Sequence, residues 1–142
     1  MEINEVPIKM DQLTRAALEV AEHSYSPYSS FRVGAALLLS NGETVTGTNV
    51  ENVSYGLTIC AERAALVQAV SRFGPKIRIR AVVVVNLNDA PSPPCGACRQ
   101  VLAEFMDAGA LISFPATAGG AAEAVTLPIG ELLPHGFDLK LK

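Results

Sequence analysis

Charge is sparse in this sequence, and histidine sparser: Asp, Glu, Lys and Arg together make up 18% of the 142 residues, and only His23 and His135 carry an imidazole. Soluble domains usually hold about 25% charged residues, so the shortfall points to surface buried against other subunits. The 11 Lys and Arg are scattered, and the net charge is −3 with a pI near 5.3. Without a basic stripe to neutralise a phosphate backbone, a long nucleic-acid partner is disfavoured. No apolar run approaches a membrane span, and Met1 to Met10 has no basic region followed by an apolar stretch. The expectation is a cytoplasmic protein with no membrane partner. Three cysteines leave one thiol outside any disulfide pairing, so metal binding or catalysis is the better account of them.

What is present is enough for one compact domain over residues 1–142, with 49% hydrophobic residues to fill its core. Leu13, Ala16, Ala17, Val20 and Ala21 recur at helical spacing and predict a first helix from Asp11 to His23, with Asp11 as its cap. The segment from Ser24 to Ser30 has the composition of a loop. Phe31–Leu39 and Thr44–Val50 flank the turn formers Ser40, Asn41 and Gly42, which predicts a hairpin. Cys60–Arg72 and Gly96–Met106 read as largely buried helices. Between them, Ile79–Leu87 is apolar on both faces, as suits a central strand covered on each side. Short strands are expected at Leu111–Phe114 and Ala124–Pro128, with a small-residue turn over Thr117–Ala122 and a last helical turn at Ile129–Leu133. That order implies an α/β fold, a three-layer α/β/α sandwich around a mixed sheet.

The chemistry concentrates at two predicted helix starts. Cys60 and Glu62 open one helix, and Cys95 and Cys98 open another. Free amides and the positive end of the helix dipole favour thiolate there, the form that zinc binds. Positions two apart on a helix flank point in different directions, so Cys60 and Glu62 can serve one ion only if the helix end points at it. Two helix ends converging on one Zn2+ is the simplest arrangement. Three protein ligands would leave a fourth position open, as in catalytic zinc sites, for a water brought to a pKa of about 7. Glu62, beside that water, is suited to carry protons between it and a substrate. Arg63, three residues after Cys60, is placed to offset the charge of three thiolates.

Cys60-Ala61-Glu62-Arg63 followed by Pro94-Cys95-Gly96-Ala97-Cys98-Arg99-Gln100 strongly resembles the homotetrameric cytidine deaminases. The resemblance runs from Tyr25 through Phe137 and takes in Phe31-Arg32-Val33-Gly34-Ala35-Ala36 and Asn49-Val50-Glu51-Asn52. It implies hydrolytic deamination of cytidine and 2′-deoxycytidine, in which zinc-bound hydroxide attacks C4, and a role in pyrimidine salvage. By the same resemblance Asn49 and Glu51 would bind the ribose 3′-hydroxyl and Phe31 would pack on the base. Tyr55 and Phe137 would reach into a neighbouring subunit's pocket, so that each site of a homotetramer is built from several chains. Val53 and Pro93 depart from the family's more usual Ala and small polar residue, which bears on pocket shape and loop conformation.

Plainer readings compete. Cys95-Gly96-Ala97-Cys98 alone could be a thioredoxin-like redox pair, but that leaves Cys60, Glu62 and Asn49 unexplained. A structural zinc domain would need His23 or His135 as fourth ligand, and neither shows metal-typical spacing to the cysteines. Glu62 alone could merely compensate a helix dipole, Asn49 and Glu51 could be strand-end polar residues, and Phe31 and Phe137 could be core aromatics. Within the enzyme class, a deaminase for a modified cytosine nucleoside such as blasticidin S would share zinc and Glu62; the Asn-x-Glu pair favours the ordinary nucleosides.

Overall fold

The computed structural model describes residues 7–118 and 121–139. Helix α1 (Met10–Ala21) leads into strands β1 (Val33–Leu39) and β2 (Thr44–Thr48), then a 3-10 turn at Tyr55–Leu57 and helix α2 (Ala61–Phe73). Strand β3 (Ile79–Asn86), helix α3 (Gly96–Ala103), strands β4 (Met106–Ala118) and β5 (Ala121–Pro128), and helix α4 (Ile129–Leu132) follow. The strands form one sheet in the order β2-β1-β3-β4-β5, antiparallel except for the parallel pair β3 and β4. It is a mixed sheet in an α/β fold, as expected from the order of elements.

Alternation along the central strands explains why both β1 and β3 are nearly unbroken apolar runs. Ala35, Leu37 and Leu39 of β1 and Val82 and Val84 of β3 share a core with Ala61, Ala65 and Ala69 of α2, Leu102 of α3 and Ile129 of α4. The intervening residues Ala36, Ala81, Val83 and Val85 pack instead against Leu13 and Ala17 of α1. Each fully buried Leu or Val side chain contributes roughly 1.5–3 kcal/mol of burial free energy, and both faces of the central strands are used.

Two glycines set how closely the layers meet. A Cβ on Gly34 would stand 2.0 Å from the carbonyl oxygen of Ala17, and one on Gly47 would stand 2.3 Å from the nitrogen of Ala65. Helices α1 and α2 therefore rest on strand backbone, with no side chain between. Among the described residues, no helix is long and apolar enough to cross a membrane.

Several boundaries differ from expectation. Asp11 is not the cap of α1: Lys9 holds that position, its carbonyl accepting from Gln12 and Leu13 at 3.1 and 3.2 Å. Asp11 lies inside the first turn, where its charge still favours the dipole. Helix α3 stops at Ala103, because the carbonyl of Phe105 accepts from Ile79 N at 2.8 Å and Met106 already pairs with β3. The last hairpin is longer than its apolar centre: β4 and β5 pair from Leu111 and Pro128 out to Ala118 and Ala121. The predicted turn over Thr117–Ala122 shrinks accordingly, and its residues 119 and 120 lie outside the described residues.

Candidate metal centre and adjoining cleft

Cys60 and Cys95 are the N-cap residues of α2 and α3, both in extended conformation, and Cys98 sits in the first turn of α3. Chain entry to α2 is fixed by reciprocal backbone hydrogen bonds of 2.9 Å between Val50 and Ile59. Entry to α3 is fixed by Asn86, whose Nδ2 donates to the Ala90 carbonyl at 2.7 Å and to Ser92 Oγ at 2.9 Å. Cys98 N donates to Cys95 Sγ at 3.4 Å, so the thiol also serves as a helix cap. The Sγ atoms of Cys60, Cys95 and Cys98 all lie within 4.8 Å of one another. Tetrahedral zinc with Zn–S bonds of about 2.3 Å requires sulfurs about 3.8 Å apart, and the cluster fits that demand in both donor type and spacing. Among the described residues, no imidazole or carboxylate joins the group.

Electrostatics within the cluster are uneven. The Cys60 thiol is pulled down to about 5, first by its hydrogen bond with Cys98 and further by Arg63. Cys98 is pushed up, because it is the protonated partner of that same hydrogen bond and is buried. A metal ion taking all three sulfurs must displace that proton. Arg63 Nη2 donates to Cys60 Sγ at 3.6 Å and to the Thr58 carbonyl at 3.5 Å. Its Nε is buried without a hydrogen-bond partner among the described residues.

A cleft of about 360 Å³ opens beside the thiols, lined among others by Phe31, Asn49, Cys60, Glu62, Ser92 and Cys95. Glu62 is only 5% exposed. Burial raises its carboxyl above the ordinary value, with the neighbouring Cys60 charge adding to the effect.

The substrate-binding candidates divide into those on this cleft and those away from it. Phe31 and Asn49 line it. The Asn49 side chain is also a structural tie: Nδ2 donates to the Phe31 carbonyl at 2.7 Å, and Oδ1 accepts from Val33 N at 3.0 Å and from Ser24 Oγ. Among the described residues one amide hydrogen is left over. Glu51 accepts from Tyr28 N at 3.0 Å, Ser29 N at 3.2 Å and Ser29 Oγ, which lowers its carboxyl below the usual value, the hydroxyl contributing most. Tyr55 meets Tyr28 edge-on at 6.0 Å and is 72% exposed. Phe137 is 76% exposed, which overturns the reading of it as a core aromatic. Glu51, Tyr55 and Phe137 do not line this chain's cleft.

Sequence reasoning missed Ser24, which holds Asn49, and Ser92, which Asn86 ties into the cleft wall. Nothing in their spacing marks them. It also gave no task to Arg99 and Gln100, although both stand in the second cysteine motif.

Three thiols at two helix starts, with a buried carboxyl facing the same cleft, define a zinc-site protein of the hydrolase type. Residues 8–112 match the model of the cytidine and deoxycytidylate deaminase zinc-binding region, and the chain belongs to that family. It is 44% identical over 125 residues to a cytidine deaminase of Halalkalibacterium halodurans, covering 88% of this chain and 91% of the relative. Against a cytidine deaminase of Mycobacterium tuberculosis it is 41% identical over 132 residues, covering 93% and 92%. Among solved structures, cytidine deaminase from Burkholderia pseudomallei superposes with a TM-score of 0.79 at 38% identity, covering 92% of this chain and 100% of that one. The enzyme from M. tuberculosis superposes with 0.77 at 40% identity, covering 94% and 100%.

Proposed function

We propose that the chain deaminates cytidine and 2′-deoxycytidine by hydrolysis, giving uridine or 2′-deoxyuridine and ammonia. The observation that carries this reading is a cluster of three mutually adjacent thiols, two of which line a nucleoside-sized cleft together with buried Glu62. Relatives named cytidine deaminase, alike over most of their length, support the substrate class.

Cys60, Cys95 and Cys98 would hold the zinc. When bound, zinc supplies the Lewis acidity that makes water a nucleophile at neutral pH. Glu62 takes a proton from the attacking water, passes it to the pyrimidine ring nitrogen, and then helps protonate the amine as the C4–N bond breaks. Burial raises this carboxyl above the ordinary value, which makes it a stronger proton acceptor than an exposed one and suits it to hold the proton between the two transfers. Arg63 offsets thiolate charge from its position beside Cys60. Phe31 offers its ring to the base, and Asn49 its remaining amide hydrogen to the sugar. Glu51, two residues after Asn49, would share the sugar hydroxyl only by turning its carboxylate away from the 28–29 backbone, which holds it off the cleft in this structure.

A homotetramer with shared sites is part of the proposal. Val53, Tyr55, Leu57 and Val67 are 76, 72, 66 and 60% exposed, and so much bare apolar area suits an interface between copies. Tyr55 and Phe137 then act in a neighbour's pocket. A cytoplasmic role in pyrimidine salvage follows from the same reading.

The deciding assay adds cytidine to purified protein and follows the ultraviolet change to uridine, with and without a zinc chelator. Conversion that the chelator abolishes and zinc restores is expected; no conversion by zinc-loaded protein refutes the function.

A further inference from the structure

Gln100 closes a two-point hydrogen bond on the backbone of Phe137. Its Nε2 donates to the Phe137 carbonyl at 2.9 Å, and Phe137 N donates to its Oε1 at 3.1 Å. Next to it, Arg99 donates from Nη1 to the Leu132 carbonyl at 3.1 Å and from Nε to the Pro94 carbonyl at 2.8 Å. Consecutive side chains of α3 thus tie the last residue of α4, through Arg99, and the segment after it, through Gln100, to the helix that carries Cys95 and Cys98. The ring held this way is 76% exposed and does not line its own chain's thiol-bearing cleft. Burial of the Phe137 ring within this chain does not explain the fastening. A side-chain amide satisfying both polar groups of one residue fixes that residue's backbone as a strand partner would, and here the backbone so fixed carries a largely exposed aromatic ring.

We infer that Gln100 is a positioning residue that presents the Phe137 ring, at a fixed offset from the Cys95–Cys98 helix, to the nucleoside pocket of a second copy of this chain. The inference rests on the proposed deaminase reading with shared sites and adds the residue that makes the sharing precise. A flexible Phe137 would have to be ordered each time substrate binds, and that cost would fall on binding and leave the chemical step alone.

The sequence contains no tryptophan, so Phe137→Trp installs a single fluorophore at the presented position. In zinc-loaded protein carrying it, Gln100→Met keeps the side-chain length and removes both hydrogen bonds, while Gln100→Glu keeps only the acceptor. Fluorescence anisotropy is expected to fall from Gln through Glu to Met. In the chain with natural Phe137, KM for cytidine should rise about tenfold with Met and less with Glu, a factor within reach of two ordinary hydrogen bonds, with kcat and zinc content held. Unchanged anisotropy overturns the inference, as does a fall in anisotropy with KM unmoved, or a loss confined to kcat. If Gln100→Met does not fold, Gln100→Glu carries the same comparisons. Failure of the deaminase reading is separately visible as absence of cytidine turnover in the unsubstituted, zinc-loaded protein.

Discussion

Gly47 and Ala65 meet backbone to backbone: a Cβ on the glycine would stand 2.3 Å from the Ala65 nitrogen, and 2.7 Å from the Ala61 carbonyl oxygen. Strand β2 therefore sets the height of helix α2, whose cap is Cys60, and through it the place of one sulfur in the cluster. Gly47→Ala has no flexible side chain to push aside and should cost about 3 kcal/mol, at the upper end of ordinary overpacking. Gly109→Ala, with nothing within 4 Å of the added carbon, should stay within about 0.5 kcal/mol of the parent. Urea denaturation of the two variants checks the contrast; equal midpoints would mean that β2 and α2 can part without cost.

Glu62→Gln keeps the volume of the side chain and removes its ability to cycle a proton. Turnover should drop by about 10²- to 10⁴-fold, the usual contribution of a placed acid–base group, while zinc content and nucleoside binding hold. Steady-state rates with elemental analysis test this, and near-normal kcat would remove Glu62 from the reaction.

Arg63→Ala deprives Cys60 of a cation whose Nη2 stands 3.6 Å from its sulfur. Partners that steady a metal's ligands are commonly worth about 10- to 100-fold in affinity or activity, and a loss of zinc affinity in that range is expected from competition with a chromogenic chelator. Unchanged affinity and unchanged turnover would refute the neutralising role.

The cysteine motifs could be read from the sequence because their chemistry is local: the residues suited to hold a metal are the residues that begin the helices. Layer order was legible for a similar reason, since the valine run of β3 can only be satisfied with cover on both sides. Gly34 and Gly47 could not be read, because what they avoid is another element's backbone, and nothing adjacent in sequence names it. Asp11 misled because a good capping residue just ahead of the apolar-periodic run that begins at Leu13 looks like a start, whereas the chain turns at Lys9. The ends of the last hairpin were missed because Ala116, Ala118, Ala121 and Ala122 carry little strand preference; pairing between β4 and β5 extends them. Of the candidate site residues, Phe31 and Asn49 reach the cleft within one chain, and Glu51, Tyr55 and Phe137 do not, a division that depends on folding and on other copies.

Glu51 provides a pH test with a defined sign. Three hydrogen bonds from Tyr28 and Ser29 favour its ionised form and lower its carboxyl from the ordinary 4.5. The unfolded chain then binds the proton more readily than the folded one, so the stabilisation is fully present above about pH 4.5 and is lost as pH falls through the folded value. Relative to Glu51→Gln, the natural chain should melt higher at neutral pH, with the gap closing below pH 4.5. Melting curves across that range decide it, and a gap that stays constant with pH would detach Glu51 from the 28–29 backbone.

Burial of Glu62 has a cost that any programme of laboratory evolution would meet. A carboxyl kept from solvent is tolerated by the fold, not favoured by it, so replacements with no charge to hide can raise heat resistance while silencing the enzyme. A library sorted only for survival on heating would drift toward such inert winners at position 62, and sorting for cytidine turnover alongside is what would hold the glutamate in place.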